Sequence, residues 1–307
     1  MIIICGSRDD PSLEKVCRRL EDSHTAYIYF GQDICSTAHM QLRISAAGCD
    51  GVVSHGDSKL DLGSIKGVYW RLDFPTDRNH HTERHGNSDH VDPRTSFYEV
   101  FDCWLELCAA RVLNRTSTMG SNCSKPYQLQ LISQAGFAVP DTLVTNDPDE
   151  ARAFSELHDD VVYKSISSNR SIVQRLTNDD LKRLEEILWC PVQFQQYVKG
   201  VNLRVHTIGP HVFGTLVDSS DVDYRYAEAH GGRTNMSPFK LDSDLKDACL
   251  RLSRRLRLDF SGIDMILTPD GTPYCLEVNP SPAYVYYEDR TDQPISASVC
   301  RYLAGKL

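Results

Sequence analysis

The stretch from Asp264 to Asn279 constrains the fold more than any other part of the chain. Two apolar runs, 264–267 and 274–278, flank Pro269-Asp270-Gly271-Thr272, which is turn chemistry between strand-like segments. A tight turn centred on Asp270-Gly271 sets Asp264 opposite Glu277, with Cβ atoms about 4.5–5.5 Å apart. Asn279 lies two residues beyond Glu277, so its side chain leaves the same face. Like charges opposed across a sheet repel unless something positive sits between them. The trio is therefore either a solvated acidic face or a cradle for a cation. Asp, Glu and Asn oxygens suit Mg²⁺, which takes a few protein oxygens and fills its shell with phosphate and water. The string CLEVNPSPAY puts the acid in an otherwise apolar strand and follows it with two prolines, which favours the cradle.

Phosphate needs cationic partners. The sequence has no GxxxxGK[ST] and no GxGxxG, so it carries neither a P-loop nor a dinucleotide fingerprint. Lys164 sits inside the apolar run Val-Val-Tyr-Lys-Ser-Ile and needs a partner there; a phosphate is one, a snorkelling stem the other reading. Arg204 shares a strand face with Asn202 and His206, and alone would read as a surface Arg.

Composition narrows the class. The chain has 307 residues, 42 Asp and Glu against 33 Lys and Arg, and a net charge of −9. Phosphate-tracking proteins concentrate Lys and Arg, so a general nucleic-acid binder is disfavoured. No apolar run approaches the roughly 20 residues that span a bilayer, and the four-residue apolar start after Met1 is too short for a secretory h-region. No membrane association and a cytoplasmic location are expected. The 11 cysteines include no CxxC pair, and Cys5, Cys103 and Cys275 sit in apolar elements, so reduced core thiols are expected.

Periodicity sets the organisation. Residues 2–5, 27–30, 51–54 and 67–70 read as short buried strands of one small parallel layer, with a helix at 12–21. A strong amphipathic helix follows at 97–112, beyond a polar segment, 73–94, that holds His80, His81, His85 and His90. Those histidines lack metal-ligand spacing and read as a solvated loop. A second unit begins near Asn114: helix 124–135 ended by Gly136, strand 142–144, a helix capped at Asn146 or Asp147 with Pro148 in its first turn, strand 161–166, helix 179–188 and strand 192–198. The last unit holds the hairpin 203–208/212–217, a helix at 245–256 capped by Asp242 or Ser243, and the carboxylate hairpin.

This order of elements resembles the ATP-grasp superfamily of carboxylate ligases, in the branch of ribosomal-protein glutamate ligases and microviridin-type (graspetide) peptide macrocyclases. The resemblance rests on VLNRTSTMGSNCSKPYQLQLISQAGFAVPDTLVTNDPDEA, VVYKSIS, QFQQYVKG, VNLRVHTIG and GIDMI…CLEVNPSPAYVYYE, with GVYWRLDFP like the front domain of the macrocyclases. It implies an α/β ATP-grasp fold with α+β lobes behind an N-terminal pre-ATP-grasp βαβ domain. The boundaries would be 1–115 for the front domain and 116–307 for the ATP-grasp domain, the latter split into a nucleotide lobe, 116–198, and a catalytic lobe, 199–307.

It also implies roles. Lys125 and Lys164 would bind phosphates, and Gln196, Tyr197 and Val198 would form a hinge for the adenine edge, largely through backbone. Lys199 would touch ribose or adenine. Asp264, Glu277 and Asn279 would hold two Mg²⁺ ions, Mn²⁺ being an acceptable substitute. Arg204 would stabilise the transferred phosphoryl group, with Arg225 near the acceptor carboxylate or γ-phosphate. Residues 167–171 would form a lid, although they read Ser-Ser-Asn-Arg-Ser where relatives carry glycines; Asn202 and Gln196 stand where acids are common. The implied activity is ADP-forming ligation through an acyl phosphate to an amine or hydroxyl, with a peptide or protein as first substrate class. A free amino acid or small metabolite comes second, and a catalytically silent nucleotide-binding protein is the reading outside enzymes. Assembly as a homodimer falls within the same expectation. Tyr284, Tyr286 and Tyr287 would pack on the lid or line the acceptor site, and Ser281 with its two prolines would fix the loop beyond the metals.

Overall fold

The computed structural model describes residues 1–31, 37–46, 48–71, 93–166, 173–219 and 233–307. The histidine-bearing segment, Arg225 and the 167–171 lid lie outside them.

The front layer is a four-stranded parallel sheet in the order Tyr27–Phe30, Ile2–Gly6, Gly67–Arg71, Arg111–Leu113. The helix Pro11–Asp22 starts where expected because Asp10 caps it, accepting from the Ser12 N–H, and proline occupies its first turn. It buries Leu13, Val16 and Leu20. The other expected front helix ends early, at Leu107, and Arg111–Leu113 turns into the fourth parallel strand. Pairing with Gly67–Tyr69 overrides the helical pattern, since Val112 and Leu113 are buried on opposite faces of that sheet. Phe97, Phe101 and Trp104 of the helix pack with Trp70 and Phe30; the Trp70 and Phe101 rings stack at 5.4 Å.

Residues 51–54 do not join the parallel layer. They belong to Gly48–His55, the middle strand of an antiparallel sheet with His39–Ser45 and Ser58–Asp61. Met40, Leu42 and Leu60 lean on the same aromatic core.

The second face of the front sheet meets the C-terminal part of the chain. Ile2, Ile4 and Tyr69 share a core with Ile208, Phe260, Tyr284 and the final helix, Ile295–Leu303. Arg71, at the end of its strand, makes an ion pair with Asp10 at 2.7 Å. It also donates to Ser281 Oγ and the Pro282 carbonyl, both at 3.1 Å. The front sheet thus holds the loop that follows Asn279.

Two more sheets make up the rest. One orders Gln174–Arg175, Val161–Ser165, Val192–Gln196, Thr142–Thr145, all antiparallel. The expected helix 179–188 is broken: Asn178–Leu181 is capped by a Thr177–Asp180 capping box, and Leu184–Trp189 continues as a tighter 3₁₀ turn. The other sheet has five antiparallel strands in the order Thr234–Phe239, His211–Ser219, Val201–Ile208, Phe260–Leu267, Pro273–Asn279. The helix Ser243–Arg255 covers one face, burying Cys249 and Leu252 against Leu203, Val205, Ile263 and Met265. Arg204, His206, Asp264 and Glu277 alternate to the opposite face.

The ten described cysteines are all free. Cys5, Cys249, Cys275 and Cys300 are buried, whereas Cys103, expected inside, is exposed along with Cys123 and Cys190. None of the described helices is long and apolar enough to cross a membrane.

Candidate nucleotide and metal site

Asp264 lies opposite Glu277, and Gly262 opposite Asn279. The register depends on a feature the turn does not supply. Beyond the turn Leu267 pairs with Pro273 and Met265 with Cys275; a β-bulge between Met265 and Asp264 then moves Glu277 into place. Without the bulge Asp264 would face Leu276, and Glu277 would share the buried side with Cys275. With it, Cys275 and Val278 both enter the core while Glu277 and Asn279 share the other face.

Each carboxylate has its own cation. Lys125 Nζ lies 3.0 Å from Glu277 Oε2 and donates to Asn122 Oδ1 at 2.8 Å. Arg204 Nη1 donates to Asp264 Oδ2 at 2.7 Å. The Asn279 amide donates to both acids, at 3.0 Å and 3.2 Å. Lys164 is close enough for its charge to act on Glu277. Burial pushes the Glu277 carboxyl up, but Lys125 first and Lys164 next pull it down to about 2, so it is ionised at neutral pH.

That shift has a stability consequence. The folded carboxyl lies below its ordinary 4.5, so ionised Glu277 contributes fully above 4.5. The contribution is lost as pH falls toward about 2. Glu277→Gln removes the slope. Urea unfolding at fixed pH should show a smaller loss of stability between about pH 5 and pH 2 for the variant. Parallel curves would show that the carboxylate is not held this way.

The helix Lys125–Gln134 is anchored to the same strand. Gln128, 1% exposed, grips Val278 twice: Nε2 donates to its carbonyl at 2.8 Å and Oε1 accepts from its N–H at 3.0 Å. Pro273–Asn279 is the edge of its sheet, so these backbone groups need outside partners. The grip fixes Lys125, one turn earlier, against Glu277. Sequence reasoning misses Gln128, which carries no motif.

Gly262 is missed as well, although a glycine inside an apolar strand signals close approach. A Cβ there would lie 2.1 Å from Arg204 Nη2 and 2.7 Å from Pro282 Cβ. The 5%-exposed guanidinium lies across that bare backbone, 5.5 Å from the Tyr287 ring centroid, with Nε 3.3 Å from His206 Nε2. Burial, and then Arg204, hold His206 well below the usual histidine range, so it stays neutral. The three tyrosines divide: Tyr284 is buried and donates to the Ser12 carbonyl, Tyr287 packs on Arg204 and His206, and Tyr286 is exposed beside Arg290.

At the expected hinge, the Gln196 and Tyr197 N–H groups are committed to the Asp141 and Asp160 carbonyls, both at 2.9 Å. Lys199 lies 3.2 Å from Asp160 and is mostly exposed, while Arg175 covers the Tyr197 ring at 4.1 Å.

Two carboxylates and one amide thus share a face of the hairpin, with Lys125 and Arg204 paired to the acids and the charge of Lys164 acting on Glu277. Hard oxygen donors with one firmly ionised acid fit a Mg²⁺ bound jointly to phosphate, provided the Asn279 amide turns its oxygen inward. Among the described residues no cluster of three or more His, Cys, Asp or Glu forms a metal site without such help.

The RimK-like ATP-grasp domain matches residues 123–303. N-acetylaspartylglutamate synthase A of Mus musculus is 24% identical over 218 residues, 66% of this chain and 56% of that protein. The chain therefore spans little more than half the length of that curated relative. The macrocyclase MdnC of Microcystis aeruginosa MRC, bound with precursor peptide MdnA, superposes with a TM-score of 0.76 at 23% identity, covering 99% of both chains. The ATP-grasp ligase PsnB, in complex with minimal precursor, Mg and ADP, gives 0.76 at 24% identity, covering 99% of this chain and 96% of that one.

Proposed function

The chain belongs to the RimK-like ATP-grasp family, and from that premise we propose that it is an ATP-dependent carboxylate ligase acting on a peptide or protein. The observation that carries the reading is the opposed Asp264–Glu277 pair ringed by Lys125, Lys164 and Arg204.

A substrate carboxylate oxygen attacks the γ-phosphorus, the bond to the ADP oxygen breaks, and an acyl phosphate forms. An amine or hydroxyl then attacks the acyl carbon and phosphate departs with the bridging oxygen. Both first-step reactants are anions, so their repulsion sets the barrier. Asp264, Glu277 and Asn279 would hold Mg²⁺, which when bound would supply positive charge against the phosphates. Lys125 and Lys164 hold phosphate oxygens, and Arg204 meets charge developing on the transferred group from a pocket that keeps its guanidinium dry. Gln196, Tyr197 and Val198 line the base, Lys199 the ribose side. Arg225 near the acceptor and 167–171 as a lid complete the reading, with 1–115 as the front domain.

The peptide class rests on extent. The family match begins at residue 123, whereas the likeness to MdnC and PsnB runs through the front sheet as well. The test is ADP release with a panel of acceptors, read with product mass. Peptides bearing Asp or Glu with Lys, Ser or Thr should stimulate turnover and lose one water per bond formed. Stimulation by free amino acids alone would move the reading to a small-molecule ligase; ATP binding that no acceptor turns into ADP would leave a nucleotide-binding protein. Separately, Lys164→Ala should weaken ATP binding roughly 10- to 100-fold, the value of a charge-assisted phosphate contact, by calorimetry. Unchanged affinity would remove Lys164 from the site.

A further inference from the structure

Val192–Gln196 presents two glutamines to one face of its sheet. The other face is apolar: Val192 and Phe194 pack with Val161, Tyr163 and Leu143. Gln193 and Gln195 point the opposite way, with Lys164 and Val162 as cross-strand neighbours. Lys164, whose charge acts on Glu277, stands on this face.

The two glutamines differ in one respect. Gln195 Nε2 donates to Thr142 Oγ1 at 2.9 Å. Gln193 is 1% exposed, and neither its Nε2 nor its Oε1 has a hydrogen-bond partner. A buried primary amide with both ends unmet is costly, and native proteins rarely keep one without a use. Lys164, level with it, has only donors and could at most meet Oε1, leaving Nε2 unmet.

We propose that Gln193 reads the N6–N7 edge of the adenine ring, Oε1 accepting from the exocyclic amine and Nε2 donating to N7. This deepens, and rests on, the reading of the cleft as an ATP site. The required partner must offer one donor and one acceptor side by side, and the adenine edge does so. Guanine offers two acceptors there and would set O6 against Oε1; pyrimidines have no N7. A phosphate oxygen would satisfy Nε2 alone. Gln193 stands directly across from Lys164, three residues before the Gln196–Val198 hinge. Since the amide is covered, a base reaches it by displacing that cover, and the paired edge offsets the displacement.

The experiment is equilibrium binding of ATP, GTP and 7-deaza-ATP, with Mg²⁺, to the full chain and to Gln193→Leu, which keeps the bulk and removes both polar atoms. Wild type should bind ATP about tenfold more tightly than 7-deaza-ATP. Gln193→Leu should lose about tenfold for ATP and bind the two alike, with a smaller ATP-over-GTP preference. A variant that binds ATP as wild type does, or that keeps the full N7 preference, overturns the proposal and leaves Gln193 a structural amide. If the variant does not fold, the wild-type series decides: equal affinity for ATP and 7-deaza-ATP overturns it. Failure of the underlying reading looks different, since wild type would then bind no ATP and Lys164→Ala would change nothing.

Discussion

Glu277→Ala loses turnover by on the order of a thousandfold or more while still binding ATP. Three contacts meet at this carboxylate: Lys125 at 3.0 Å, the Asn279 amide at 3.2 Å and the field of Lys164. In the proposed reading, removing it takes away an ionised metal donor and the carboxylate that Lys125 and Lys164 act on. The lysines then face the triphosphate uncompensated, so affinity for metal-free ATP should hold or rise as chemistry fails. That split separates a lost donor from a collapsed site. The strand itself should survive, because Gln128 grips the backbone of the next residue, Val278. Glu277→Gln refines the test: it keeps the volume and an oxygen but not the charge, and should recover binding geometry without recovering rate. Single-turnover ADP formation and calorimetric ATP binding measure the two halves. Near-normal ADP formation by Glu277→Ala would sink the metal assignment.

Much of this site is legible in sequence, for uneven reasons. Asp264, Glu277 and Asn279 fall on one face as expected, yet the turn alone would not put them there. The expectation opposes Asp264 and Glu277 by centring the turn on Asp270-Gly271. In the structure Thr268 closes on Thr272 around Gly271, at φ +85°, and the bulge restores the pairing. A bulge inserts one residue without any residue type that announces it, so pattern reading cannot see it. Strands with strong flanking chemistry, such as Val161–Ser165 and Tyr27–Phe30, are found almost residue for residue. The antiparallel sheet at 39–61 is harder. Met40, Leu42 and Ile44 alternate as a strand should, but no Asn-Gly or Asp-Gly marks its first turn, and Ile44 is exposed. At 97–112 the helical period runs into a strand, because long-range pairing with Gly67–Tyr69 outweighs local preference. Lys164 is singled out by charge in an apolar run, whereas Lys125 and Arg204 take their roles from the family resemblance. The residues that orient them, Gln128 and Gly262, are neutral and act only through contacts from distant segments.

Gly262→Ala tests that orienting layer with the smallest change available. The glycine has an ordinary strand conformation, so alanine meets no backbone penalty and the effect is steric. The new methyl would stand 2.1 Å from Arg204 Nη2 and 2.6 Å from Cζ, distances no carbon tolerates. A long side chain normally swings away. This one is held by Asp264 at 2.7 Å, by His206 at 3.3 Å and beneath the Tyr287 ring, and Pro282 on the other side is 2.7 Å from the same methyl and rigid. Either the guanidinium leaves Asp264 or the 280–283 loop, tied to Arg71, shifts. Overpacking of this kind costs about 1–3 kcal/mol. Displacing a charge-stabilising group by about 1 Å costs on the order of a hundredfold in rate. ATP affinity should change much less than turnover, since Lys125 and Lys164, the proposed phosphate ligands, are untouched. A double-mutant cycle isolates the cause: with Arg204→Ala already present, Gly262→Ala should cost markedly less stability, because the larger clash is gone and only Pro282 remains. The observables are urea midpoints for the four proteins and ADP formation for the single variants. Full activity of Gly262→Ala, or the same stability cost in both backgrounds, would show that Arg204 does not depend on the bare backbone at 262.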